Sequence, residues 1–169
     1  MFGILRFKVS LRFVRMLRAL LAFFPAVFLA YVIASVLATQ VILARIEALG
    51  VTVDLRDRLY ATGHDIVGLL GTYLPLMLIA FLVAMPVAAG LGKLLPRLRF
   101  VFFGLAGIAA VVAIHLIMKQ VLGLNGIAAV REPLGLGLQG FAGWCGGYLF
   151  HLFMGYAHRP MEPAEVFIR

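Results

Sequence analysis

Carboxylates are scarce in this chain, and cysteine and serine are scarcer. Seven acidic residues stand against fifteen basic ones in 169 residues. None of the apolar runs holds the pair of carboxylates that a proton-coupled carrier would often need inside a membrane. The single cysteine, Cys145, lies in the last apolar run. It excludes an internal disulfide and any cysteine-pair redox mechanism, leaving a buried thiol. Ser10 and Ser35 are the only serines, which argues against a serine nucleophile. A phosphate loop ending in Lys-Ser/Thr, a His-Glu-x-x-His helix and a Gly-x-Ser-x-Gly elbow are all absent. Charged residues make up 13% of the chain, where a soluble domain carries about 25%.

What is present is hydrocarbon. The chain is 64% hydrophobic, with a mean hydropathy of +1.08. Its length suits one domain, and at roughly 20 residues per crossing it accommodates four membrane spans with short connections. The expectation is an all-α membrane protein with four transmembrane helices. A basic amphipathic segment, 1–18, has Arg12, Arg15 and Arg18 on one face and suits a short interfacial helix. The membrane domain covers 19–157, with spans at about 19–43, 66–89, 100–122 and 135–157, and a polar tail covers 158–169. Val-Leu-Ala before Thr39 resembles a signal cleavage site, but the apolar run continues through Val41, Ile42 and Leu43. An uncleaved first span is therefore expected, with Pro25 in its first turns. Pro75 and Pro86 both fall inside the second and are expected to kink it. Between these spans Asp54 precedes Leu55, with Asp57 three positions on, the pattern of a helix start at the surface.

Charge sets an orientation. With both ends cytoplasmic, the inner side holds ten basic residues: Arg6, Lys8, Arg12, Arg15, Arg18, Lys93, Arg97, Arg99, Arg159 and Arg169. The outer side holds five, Arg45, Arg56, Arg58, Lys119 and Arg131, matched by five of the seven acids. This is the positive-inside pattern of a bacterial inner membrane protein. In a soluble domain a net charge of +8 would raise nucleic acid as a partner. Here the basic residues flank apolar runs, so anionic lipid headgroups are the expected partner and nucleic acid is not.

Two sets of residues stand out. Gly140, Gly143 and Gly147 lie three and four apart in the last run, on a line continuing through His151 to Gly155. Positions at that spacing share one helix face. Glycine costs a soluble helix about 1 kcal/mol relative to alanine, whereas in lipid a smooth seam admits another helix closely. Gly104 and Gly107 in the third span form a second small face. The partner of the seam is either that face or the same seam in a second protomer.

The other set is polar. Gln40, His64, Asp65, His115, Lys119, Glu132 and Gln139 all map to the outer third of the predicted spans. They suggest a polar pocket open to the non-cytoplasmic side, with Asp65 or Glu132 as counter-ion to Lys119. The plainer alternative is that Lys119 snorkels to the interface and that His64 and Asp65 simply begin a helix. His115 and His151 lie at different depths, a poor arrangement for one bis-histidine haem; a haem shared by His151 of two protomers is the remaining geometry. No cofactor or metal is expected. The disulfide-forming quinone reductases need cysteine pairs, and small multidrug exporters need an acid in the first span. In size and topology alone the chain resembles the small membrane subunits of solute-uptake systems, with no motif tying it to a family. The functional expectation is a non-enzymatic subunit, scaffold or assembly factor working by helix packing, as a homo-oligomer or within a membrane complex. The alternative is a transport or small-ligand module built on the polar pocket.

Overall fold

The carboxylates of the surface segment begin a helix as expected. Asp57 N–H donates to Asp54 Oδ1 at 2.7 Å, and Asp54 N–H returns to Asp57 Oδ2 at 3.3 Å, a reciprocal capping box. In the computed structural model, which describes residues 11–122 and 128–156, five α-helices follow in order. They are α1 (Leu11–Ala48), α2 (Leu55–Gly68), α3 (Tyr73–Leu94), α4 (Arg99–Leu122) and α5 (Pro133–Tyr156). Short 3-10 turns at Pro96–Leu98 and Ala128–Arg131 precede α4 and α5, and no strand occurs among the described residues.

Among the described residues, three stretches are long and apolar enough to cross a membrane: Met16–Ala48, Tyr73–Leu94 and Pro96–Val121. Helix α5 has comparable length, 24 residues, but its glycines, Gln139 and His151 dilute its apolar character. The first helix is longer than expected. Its 38 residues reach about 57 Å at 1.5 Å per residue, against a hydrocarbon core of about 30 Å. Leu11 to Arg18 are continuous with it, so the described part of segment 1–18 forms no separate interfacial helix; residues 1–10 lie outside the described set. Pro25 consequently sits inside α1 and not in its first turns.

The second expected span also starts elsewhere. Ile66 lies in the last turn of α2, the chain turns at 69–72, and α3 begins at Tyr73 with Tyr73 N–H on the Leu69 carbonyl at 2.9 Å. Hydropathy is blind to that turn because Ile66–Leu74 is nearly all apolar. Pro75 is thereby placed in the first turn of α3, where its missing N–H has no helical partner to lose. Pro86 alone lies in the interior of α3. Helix α2 buries none of its residues and carries Leu55, Leu59, Tyr60 and Val67 exposed. Gly50, at φ 88°, makes the turn that leads from α1 towards it, in the left-handed region that favours glycine.

The long helices pack antiparallel to their neighbours: α1 against α5, α5 against α4, and α4 against α3. Ala22, Ala26, Ala30, Ala34 and Ala38, four residues apart on α1, are all buried. On α5, Gly146 faces Ala26 and Ala30, and a Cβ there would crowd them and the Phe81 ring of α3. The opposite face of α5 is the glycine seam. A Cβ on Gly107 would overlap the Gly143 carbonyl, one on Gly143 would overlap the Gly107 carbonyl, and one on Gly147 would overlap that of Phe103. The six-membered ring of Trp144 lies in the notch left by Gly104. The seam is therefore filled by α4 of the same chain. A Cβ on Gly140 would make ordinary contact with Ile108 and Val112, and one on Gly155 would meet nothing within 4 Å among the described residues.

Two ends result. The described carboxylates Glu47, Asp54, Asp57, Asp65 and Glu132 all belong to one, here called the acidic end. Arg18, Lys93, Arg97 and Arg99 belong to the other, the basic end.

Candidate functional site

Towards the acidic end, polar side chains from five helices meet. The deepest layer is a chain of three. Tyr73, the first residue of α3, donates its hydroxyl to Gln139 Oε1 of α5 at 3.0 Å. The Tyr73 hydroxyl oxygen also lies 3.1 Å from His115 Nε2 of α4. Gln139 Nε2 in turn donates to the Ala34 carbonyl of α1 at 2.9 Å. Gln139 is 0% exposed, and His115 and Tyr73 are each 3%.

Proton positions follow from this arrangement. The Gln139 amide is oriented by Ala34, so its oxygen accepts from Tyr73. A phenol has one proton, so His115 Nε2 must be the donor to the tyrosine oxygen, which fixes the Nε2–H tautomer. Nδ1 is left as a buried acceptor without a protein partner, as Ser35 Oγ is on α1. A satisfied group of this kind fastens helices together, because the alternative is a polar group facing hydrocarbon.

A second layer ties α1 to α2. Thr39 Oγ1 donates to Asp65 Oδ2 at 2.7 Å and also lies 3.0 Å from the Ser35 carbonyl, while the Tyr31 hydroxyl reaches the Ile66 carbonyl. Tyr31, Ser35 and Thr39 are spaced at four on one face of α1. Gln40 bonds Thr62 Oγ1 at 3.0 Å and accepts from Arg58 at 2.9 Å; Arg58 is also paired with Glu47 at 2.6 Å. A third connection closes the end. Arg45 pairs with Glu132 at 3.2 Å and donates to the carbonyl of Ala128 at 3.1 Å.

Of the expected pocket residues, His115 and Gln139 are brought together through Tyr73, whereas Asp65 and Gln40 sit in the α1–α2 layer. The counter-ion arrangement drawn for Lys119 does not form. Glu132 is taken by Arg45 and Asp65 by Thr39, while Lys119 is exposed on α4. His64 is exposed, stacked on Tyr60, with Nδ1 3.9 Å from Asp65. Lys119→Met is accordingly expected to change stability in detergent by no more than about 0.5 kcal/mol, as surface substitutions do, read from the thermal midpoint. A larger loss would place Lys119 in a buried pair. His151 rests on the Phe103 ring of α4 at 5.7 Å, inside its own chain, so a haem shared through the seam would have to displace α4.

Tyr31, Thr39, Arg45, Thr62 and Tyr73 belong to the site and carry no motif. The four-residue spacing of Tyr31, Ser35 and Thr39 is the one signal in the sequence that could reveal part of the set. No family model, curated protein or solved structure matches this chain. Its function is therefore argued from this geometry alone.

Proposed function

We propose that the chain is a four-span protein of a bacterial cytoplasmic membrane, with α5 as the fourth crossing and both ends inside. It works without catalysis, as a preformed helical subunit or accessory factor for other membrane components. The supporting observation is the fastening of α1, α3, α4 and α5 by the Tyr73–His115–Gln139–Ala34 chain, together with the glycine seam. Packing of that kind favours one arrangement over a moving carrier, since the polar groups are spent on neighbouring helices. The basic end, with Lys93, Arg97 and Arg99 in one short turn, supports the cytoplasmic assignment.

Reporter fusions test the orientation. Fusions in 90–96 and after Arg169 are expected to read as cytoplasmic, and one near Asp54 as external. An external reading after Arg169 would remove the fourth crossing. Purification in mild detergent tests the role: a particle heavier than one 18.4 kDa chain, holding a second protein or a second copy, is expected. The second reading, a module binding a small polar ligand, has one observation in its favour, the unpartnered Ser35 Oγ and His115 Nδ1. A monomer stabilised by a small polar solute, with that effect lost in His115→Phe, would favour it.

A further inference from the structure

We propose that the groove between α1 and α3 at the basic end binds an anionic phospholipid, one acyl chain in the groove and its phosphate on Arg99. The proposal rests on the reading of this chain as a membrane protein. The groove encloses about 580 Å³, within the roughly 300–1,000 Å³ of ordinary ligand sites. Phe23 and Leu20 of α1 and Leu78 and Leu82 of α3 line it, with Phe103 of α4 and Phe150 of α5 among the other lining residues. Among the described lining residues Arg99 alone is charged.

Arg99 is the first residue of α4, half-buried, with its guanidinium 5.6 Å from the Phe103 ring. A cation there sits at the positive end of its own helix dipole. The described carboxylates all lie at the opposite end, so no acid among them offsets that charge. Lys93 and Arg97 at the same end add to the positive field. A neutral hydrocarbon would fill the groove and leave Arg99 without an anion among the described residues. A free phosphate would meet Arg99 and leave the apolar walls open. An anionic amphiphile satisfies both, with the charge at the depth of the headgroups and the tail beside α1 and α3.

The test uses the full chain in mild detergent, with phosphatidylglycerol and phosphatidylcholine of identical acyl chains, read by native mass spectrometry. One phosphatidylglycerol per chain is expected, bound about fivefold better than phosphatidylcholine, the factor expected of one basic residue near an anionic surface. Arg99→Gln should bring that ratio to about one, and Arg99→Lys should keep most of it. Ala89→Trp, filling the groove, should lose both lipids while the helical signal and thermal midpoint persist. Equal retention of the two lipids by the parent, or a preference unchanged in Arg99→Gln, would overturn the site. So would lipid binding that arises only when residues 2–10 are deleted, since the chain's own beginning would then be the occupant. Release of the chain from membranes by alkaline extraction would overturn the membrane reading itself, a result separable from any lipid ratio.

Discussion

Gly107→Ala, the smallest change available in the α4–α5 seam, is expected to destabilise the protein by about 1–3 kcal/mol, the usual range for overpacking. The clash would be with backbone and not with the tip of a side chain. The new methyl would overlap the Gly143 carbonyl, and the only relief is separation of α4 from α5. Separation also lifts Gly147 from the Phe103 carbonyl and Trp144 out of the notch at Gly104. Helices in lipid gain nothing from hydrophobic association, so the dispersion attraction forfeited there has no substitute. Gly107→Leu should cost more and reduce folded yield. Gly137→Ala and Gly155→Ala are the controls, because a Cβ at either position would meet nothing within 4 Å among the described residues. Both are expected to be neutral or slightly stabilising, alanine being the better helix residue by about 1 kcal/mol. The fraction surviving heating in detergent, followed by size-exclusion chromatography, measures all four. Gly107→Ala melting with the parent would mean that the two backbones are farther apart than the structure has them.

Tyr73→Phe is expected to destabilise by about 1–3 kcal/mol, and by more than Gln139→Leu. Losing the hydroxyl strands two buried groups together, the Nε2–H of His115 and the Oε1 of Gln139. Gln139→Leu leaves a way out. The Tyr73 hydroxyl turns to donate to His115 Nε2, and the imidazole moves its proton to Nδ1, which has no protein partner in either case. The Ala34 carbonyl loses only a second acceptor role. Interhelical hydrogen bonds in membranes average about 0.6 kcal/mol by double-mutant cycles, so Gln139→Leu should fall near that figure. Nitrogen NMR of the His115 ring supplies an independent readout: Nε2–H in the parent, Nδ1–H in Gln139→Leu. A Gln139→Leu loss larger than that of Tyr73→Phe, or an unchanged tautomer, would refute this assignment of protons.

Several of these features are legible in the amino-acid order, for reasons confined to single segments. Apolar length and scarce charge mark α1, α3 and α4 as membrane-crossing candidates, since each property belongs to one helix alone. The Asp54–Asp57 spacing starts α2 because a capping box closes within four residues. The small face of α5 is likewise written in its three-and-four spacing. Other features are not local. The seam's partner, α4 of the same chain and not a second copy, depends on how two helices are rotated and staggered. So do the pairing of Glu132 with Arg45 in place of Lys119 and the meeting of Tyr73 with His115 and Gln139. The turn at 69–72 is hidden because a run of apolar residues scores alike whether it is straight or bent. Helical periodicity fixes what shares a face, so the small, polar and apolar faces can be read from the order of residues. Which face meets which is settled only in the folded bundle, because register and rotation are set by packing summed over all the helices at once.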